Sequence, residues 1–275
     1  MRGQGGYIVM DLPPFSNVVA SGLATNQLNN LLGYTIDSII LELGGGALTK
    51  AMLTNVKLIA NEKPIFEDTG ARIDSRMQYR GIAANAAYLD LDFSEKRART
   101  IVGQKTGCID TVSSGILKLS MEVTIAGATT PTLSGYAVVS AAPQHADYGR
   151  LIAKVINSTQ SPAAAGEFPF PMQFGARRGA FVKRVHFFGS TVTAVRVKKN
   201  GIEIFKATDA RNDFLQGEFV RTPQANIFTI DFVVDGNMTE ALALENVQAM
   251  DWLVTVSGAG NVIVVTEMLD LLENH

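Results

Sequence analysis

An internal repeat is the feature that most constrains this sequence, because a chain that carries one motif twice folds into two similar units. A shift of 139 residues aligns 53–74 with 192–213 without a gap, and nine of the 22 positions are identical. Roughly one or two identities would be expected from residue frequencies alone. The identical pairs are Thr54/Thr193, Val56/Val195, Asn61/Asn200, Ile65/Ile204, Phe66/Phe205, Thr69/Thr208, Ala71/Ala210, Arg72/Arg211 and Asp74/Asp213.

The same shift also aligns 88–93 with 227–232 and matches Asp92 to Asp231 and Phe93 to Phe232. Because this second match uses an unchanged shift, it supports the duplication independently. Three further pairs of segments correspond once the loops are allowed to differ in length: 34–43 with 180–189, 116–125 with 249–258, and 135–141 with 261–267.

The duplication divides the chain into two homologous units, with a Ser-, Pro-, Ala- and Gly-containing segment, 156–171, between them. Such a composition is typical of a linker. The predicted organisation is an N-terminal arm at 1–33, a first jelly roll at 34–145, a linker at 146–171 and a second jelly roll at 172–275.

Each unit has the pattern of short β-strands. Apolar and polar residues alternate along 117–124 and along 250–257, which predicts strands with one face on a core. Asn200-Gly201 predicts a tight hairpin because both positions tolerate positive φ, and 61–64 occupies the equivalent turn. Short helices are predicted at 69–80 and 208–220.

The predicted fold class is therefore all-β, with two tandem jelly-roll barrels and short helical insertions. A pair of immunoglobulin-like sandwiches fits the same pattern nearly as well.

Composition agrees with a β-rich chain and limits its partners. Only 18% of residues are charged, and the net charge of −2 gives no overall attraction to nucleic acid or anionic lipid. Basic clusters are interpreted as solvated loops: Lys96, Arg97, Arg99, Arg177, Arg178, Lys183 and Arg184. The lone cysteine, Cys108, fits folding in a reducing cytoplasm and is interpreted as a small buried apolar residue. Five Asn and Gln residues in 12–36 argue against a membrane-spanning helix there.

Motifs for catalysis are scarce. His186 lies within an apolar strand pattern and is interpreted as a strand histidine with a local hydrogen bond, while His275 ends the chain. His145 and Asp147 could ligate a metal, but a site requires further ligands. A duplicated barrel could be a bicupin enzyme, yet no histidines recur at matched positions.

Nucleophile and phosphate motifs are also lacking. The sequence contains no G-x-S-x-G elbow, and neither 44–50 nor 102–108 has the Gly-Lys-Ser/Thr of a phosphate loop. Matched Arg72/Arg211 and Asp74/Asp213 are interpreted as internal ion pairs or helix caps. We therefore predict a protein that is not an enzyme, with no catalytic, cofactor-binding or metal-ligating residues and no cofactor.

The second half resembles a known family. Residues 177–214, followed by 226–254, contain a strand, a hairpin, a helix, a Thr-Ile-Asp-Phe strand and an acidic turn before an apolar segment. This order is similar to the C-terminal barrel of the corticovirus-type major capsid proteins. Related proteins of tectivirus-like, membrane-containing phages share the double jelly-roll design.

The resemblance implies a viral major capsid protein located in the virion and assembled in the host cytoplasm. In that lineage three copies form a pseudo-hexagonal capsomer that tiles an icosahedral shell over an internal lipid membrane, with the N-terminal arm on the inner side. The implied partners are the chain itself, neighbouring capsomers, penton or minor capsid proteins and the membrane, with no sequence-specific nucleic acid. Leu253 and 187–189 are candidate tile contacts.

One alternative stays open, a glycan- or receptor-binding tandem β-sandwich such as a phage spike or lectin. Against it, Trp252 lies on the apolar face of its strand pattern, so no aromatic platform for a sugar is apparent.

Overall fold

The structure, a computed structural model, describes residues 7–45, 47–141, 150–172 and 179–274. The chain divides into two compact units. The first contains the described residues of Met1–Gln78, Ile82–Lys154 and Leu269–His275, and the second contains those of Tyr79–Gly81 and Val155–Met268.

The described residues form eighteen strands, three α-helices and three short 3-10 helices. The strands are β1 Ile8–Asp11, β2 Gly22–Gln27, β3 Tyr34–Gly44, β4 Leu53–Ala60, β5 Lys63–Asp68, β6 Tyr88–Asp92, β7 Ile109–Asp110, β8 Leu119–Ile125, β9 Thr132–Ala141, β10 Leu151–Gln160, β11 Gly166–Pro169, β12 Phe181–Phe188, β13 Val192–Lys199, β14 Ile202–Thr208, β15 Ile227–Asp231, β16 Leu242–Ala243, β17 Met250–Val256 and β18 Val262–Leu271. The α-helices are α1 Gly70–Tyr79, α2 Ile101–Lys105 and α3 Asp209–Glu218, and the 3-10 helices are Asn29–Leu31, Lys50–Met52 and Met238–Glu240.

Two antiparallel sheets build the first unit. One has the strand order β1-β9-β3-β6, with β7 also paired to β3, and the other contains the order β5-β4-β8-β2. Leu119, Met121 and Val123 of β8 are buried between polar neighbours, as their alternation predicts. Leu117 was predicted on the same face, but β8 begins at Leu119 and Leu117 is 83% exposed.

The second unit repeats this plan. Its sheets have the orders β15-β12-β18-β10 and β11-β17-β13-β14. Trp252, Val254 and Val256 of β17 point into a core that also contains Phe187 of β12 and Phe228 of β15. The duplication inferred from the sequence is thus a duplication of strand order.

The repeated hairpins match down to their irregularities. Asn200 and Gly201 have φ of 50° and 80°, and the matched Asn61 and Glu62 have φ of 47° and 67°. A β-bulge follows Leu58 in the β4–β5 pair and follows the matched Val197 in the β13–β14 pair. The helices predicted after each hairpin are confirmed as α1 and α3.

One correspondence differs from the sequence alignment. Leu119 pairs with Ala60 in the first unit, and Met250 pairs with the matched Lys199 in the second. The true shift between β8 and β17 is therefore 131 residues, whereas the alignment of 116–125 with 249–258 gave 133. A two-residue slip keeps every side chain on its face, so alternation cannot detect it.

The structure departs from the predicted linker, 146–171. This segment contains two strands, β10 and β11, and the boundary between the units falls inside β10 after Lys154. Asn157, Ser158 and Thr159 conceal the strand in the sequence because polar residues also mark loops. The buried Ile152 lies at the start of β10.

The predicted arm, 1–33, also differs, because its described residues contribute two strands to the first unit. β1 pairs with β9, and β2 pairs with β8. Leu12 and Phe15 between them are buried. The first barrel therefore begins well before Tyr34.

Candidate assembly surface

The chemically reactive side chains of the first unit surround Asp37. Asp37 lies at the β-bulge of β3, where the register shifts between Ile36 and Ser38. Its carboxylate accepts a hydrogen bond of 2.7 Å from the Lys105 ammonium and one of 3.1 Å from the Cys108 thiol. Burial, followed by the nearby Asp37 carboxylate, raises the pKa of Cys108 well above its usual value. A thiol held neutral in this way is a poor nucleophile.

A cavity of about 490 Å³ opens beside this pair. Its walls include Asp90, whose carboxylate forms a salt bridge of 3.2 Å with Lys96. The charged residues that line the cavity form ion pairs with one another, Asp37 with Lys105 and Asp90 with Lys96.

A denser charge network lies in the second unit. Arg184 of β12 donates a hydrogen bond of 3.0 Å to Asp231 and one of 3.2 Å to Glu267, and all three side chains are buried. Arg221 lies 3.2 Å from Asp231, and the Tyr79 hydroxyl donates to the same carboxylate at 3.2 Å. Burial and the Asp231 charge raise the pKa of Tyr79.

This network corrects the interpretation of Lys183 and Arg184 as loop residues, since both are buried in β12. Lys96, Arg97 and Arg99 are exposed, as expected, while Arg177 and Arg178 lie outside the described residues. The repeat pointed to this network, because it matches Asp92 with Asp231. These two acids occupy the same place in the strand register: Asp92 lies opposite Ser38, and Asp231 lies opposite Arg184.

The matched ionic residues of the repeat behave differently in the two units. In the first unit Arg72 forms an ion pair with Asp68, and Asp74 forms one with Lys50, as the sequence predicts. In the second unit burial raises the pKa of Asp213, and the neighbouring Asp209 adds to this shift.

The placement of His186, the histidine among the described residues, agrees with a structural role. His186 is buried in β12, and its Nδ1 lies 2.9 Å from the Thr229 hydroxyl, which confirms the predicted local hydrogen bond. His145, Asp147 and His275 lie outside the described residues. Within the described ranges, no group of three or more His, Cys, Asp or Glu side chains is placed to hold a metal ion. Likewise, no described helix is long and apolar enough to cross a membrane.

In the second unit, the large apolar side chains that are exposed lie on β14, on α3 and just after α3, while the first unit exposes others along its own length. We call those of the second unit the β14–α3 surface: Ile202, Ile204, Phe214, Leu215, Phe219 and Val220. β14 ends the sheet order β11-β17-β13-β14. Asn212 and Gln216 on the inner side of α3 donate hydrogen bonds to the Thr229 carbonyl, so Phe214 and Leu215 face outward.

The sequence did not identify this surface. Its candidates for tile contacts were Leu253, which is half-buried, and 187–189. Phe187 is fully buried in the core of the second unit and cannot make such a contact, whereas Phe188 and Gly189 are half-buried. Trp252 is buried in the same core, as predicted.

Comparison with known proteins identifies the family. The model of the viral coat protein P2 N-terminal domain matches residues 9–140, and that of the viral coat protein P2 C-terminal domain matches residues 152–272. The chain belongs to the viral coat protein P2 family. It is a viral major capsid protein located in the virion capsid, and the family is one of structural proteins, not of enzymes.

Solved structures confirm the double jelly-roll fold of this coat protein. The major capsid protein P2 of bacteriophage PM2 superposes with a TM-score of 0.85 at 17% identity, over 96% of this chain and 97% of that chain. The STIV major capsid protein gives 0.68 at 14% identity, over 98% of each chain. PBCV-1 VP54 gives 0.63 at 11% identity, over 95% of this chain and 92% of its own. No curated protein matches the sequence.

Proposed function

We propose that this coat protein forms a homotrimeric, pseudo-hexagonal capsomer that tiles an icosahedral shell over an internal lipid membrane. The observation that carries the proposal is the duplication, in which two units share strand order, bulges and hairpins. Three copies supply six similar units, and a closed ring of six has nearly hexagonal edges built from one gene product.

The relatives support a shell role. Structures that superpose on this chain come from an icosahedral virus, Sulfolobus Turreted Icosahedral Virus, and from the PBCV-1 virus capsid. Self-association is supported by the assembly of such homologues into capsomers and shells.

Other partners follow from a shell role. Neighbouring capsomers contact the tile edges, penton or minor capsid proteins close the shell, and the membrane lies on its inner side. A net charge of −2 provides no overall attraction to nucleic acid, so we propose no direct, sequence-specific contact with the genome. We also propose that the protein works without a cofactor or metal.

The alternative, a glycan- or receptor-binding tandem β-sandwich, requires an exposed aromatic platform. Trp252 is buried and cannot supply one. Phe214 and Phe219 are exposed, but Phe214 lies on the acidic helix α3 and both belong to the apolar β14–α3 surface.

Negative-stain microscopy of the purified full chain tests the proposal. Class averages with a hexagonal outline and threefold symmetry are expected for the capsomer, whereas particles of single chains would indicate a binding module. Flotation of assembled particles with phospholipid vesicles tests the membrane. Assembled shells that never co-float with vesicles would contradict the membrane part and leave the trimer intact.

A further inference from the structure

The repeat makes the β14–α3 surface directly comparable with its counterpart in the first unit, β5 and α1. Ile65 is 1% exposed and the matched Ile204 is 40% exposed. Phe66 is buried while the matched Phe205 is only half-buried. One motif is thus covered by the chain itself in its first copy and left open in its second.

The sequence has changed at the open copy in the direction of an apolar contact. The shift of 139 residues places Phe214 on Ser75, Leu215 on Arg76 and Ile202 on Lys63. Phe214 is 73% exposed and Ile202 is 71% exposed, so polar positions of the first unit have become exposed apolar positions in the second. Exposed aromatic and aliphatic side chains on an edge strand and its helix are typical of a contact surface.

Charges at the matched positions change in the same region. In the first unit Lys57 lies 3.3 Å from Glu67, and Arg72 pairs with Asp68. In the second unit Lys206 replaces Glu67 and Ala207 replaces Asp68.

The two replacements affect the matched cations differently. Arg196, which matches Lys57, pairs instead with Glu167 at 2.7 Å, whereas Arg211, which matches Arg72, has lost the acid of the repeat. Of the described residues, none carries an acidic group within salt-bridge distance of Lys206 or Arg211. A partner can therefore place carboxylates against Lys206 and Arg211, although α3 itself carries more acidic than basic residues.

We propose that the β14–α3 surface is the contact through which each copy of this chain binds the next copy in the capsomer. This rests on the proposed trimer and names its contact. In a ring of duplicated units every unit presents the same side to the unit that follows it, so contacts repeat around the ring. The motif is covered in the first unit and exposed in the second, and we assign the cover of the second motif to the next copy.

An anionic membrane is a poorer occupant for the same surface. α3 contains three acidic residues, Asp209, Asp213 and Glu218, and a single basic one, Arg211. Helices that lie on anionic lipid carry Lys and Arg on their polar face. The acidic helix would be repelled by such lipid, whereas a protein surface can place its own side chains around it.

The experiment compares Phe214→Glu with Leu117→Glu in the full-length chain. Leu117 is 83% exposed on the first unit, so the control introduces the same charge at an equally exposed apolar site. Sedimentation equilibrium gives the dissociation constant of the trimer, and circular dichroism with thermal melting reports folding. Loss of a central aromatic contact weakens binding by at least ~30-fold. We expect a loss of that size or larger for Phe214→Glu and an unchanged constant for Leu117→Glu.

A second measurement avoids any effect of the added charge on folding. Ile202→Cys and Leu117→Cys are labelled with a maleimide in the assembled trimer, where the native Cys108 is buried and gives little background. We expect Ile202→Cys to react at least about tenfold more slowly than Leu117→Cys, because exclusion of water at a contact also excludes the reagent.

Equal labelling rates, or a Phe214→Glu trimer as tight as the wild type, would overturn the assignment while leaving the trimer established. A wild-type chain that stays monomeric would instead overturn the proposed function. Flotation with vesicles of anionic phospholipid tests whether the surface binds lipid instead of a second copy. A Phe214→Glu trimer that remains tight but loses vesicle binding would show that the surface meets lipid.

Discussion

Asn61 and Asn200, matched across the repeat, make the same hydrogen bonds in the two units. Each side-chain oxygen accepts hydrogen bonds from two backbone amides. For Asn61 these amides lie just before β8, at 2.8 and 3.1 Å, and for Asn200 just before β17, at 2.8 and 3.2 Å. Each side-chain amide donates to a carbonyl of the same loop, at 2.8 and 3.2 Å. One residue thus sets the hairpin and fastens it to the neighbouring strand.

The first prediction tests this role. Asn61→Gly and Asn200→Gly keep the positive φ but remove the hydrogen bonds, so each is expected to lower the free energy of unfolding by ~1–2 kcal/mol. Asn17→Gly is the control, because Asn17 also has positive φ but donates a single side-chain hydrogen bond, to Leu23. Urea unfolding measures all three. A loss at Asn17 as large as at Asn61 and Asn200 would contradict the fastening role.

The buried ion pairs of the second unit give the second prediction. Arg184→Met leaves Asp231 and Glu267 buried with their main cation removed, and is expected to cost ~3–5 kcal/mol in the free energy of unfolding. Arg196→Met removes a partly exposed pair with Glu167 and is expected to cost ~0–1 kcal/mol. Equal losses in denaturant unfolding would show that the network contributes little.

Alkaline pH gives the third prediction. Burial raises the pKa of Cys108 above the ordinary thiol value of 9.0, so the folded chain keeps a proton that the unfolded chain loses. The stabilisation is present below pH 9 and is lost as the pH rises above it, by up to ~1.4 kcal/mol per pH unit. Cys108→Ala is expected to flatten this decline in melts between pH 8 and 10.5. An unchanged slope would place the effect on other groups.

The N-terminal strands give the fourth prediction. Leu12 is buried beside β1, while Val9 within β1 is largely exposed. Leu12→Ala is expected to lower the free energy of unfolding by ~2–3 kcal/mol, and Val9→Ala by much less. Thermal melting of both variants decides whether these residues belong to the first barrel. Equal, small losses would support an arm that is separate from the core.

Much of this fold follows from the sequence because the repeat fixes equivalences that single strands cannot. Asn200-Gly201 located one hairpin, and the matched Asn61 located the other. The exact correspondence between the residues of β8 and those of β17 could not be obtained from the sequence. A shift of two residues leaves every side chain on the same face of its strand. Strand β10 was concealed by its Asn, Ser and Thr residues.

The contact surface was harder to predict than the fold. The exposure of Phe214 depends on what packs beside α3, and a sequence shows only that Phe replaces Ser75 of the repeat. Lys183 and Arg184 were misplaced for a related reason. Charged residues are usually solvated, and burial of Arg184 requires Asp231 and Glu267, which lie far away in sequence.

The oligomeric mass of the purified chain tests the central claim most directly. Light scattering coupled to size exclusion, at micromolar concentration and without added metal, is expected to give three times the chain mass of 29.5 kDa. A mass of 29.5 kDa that persists across the concentration range would contradict the capsomer.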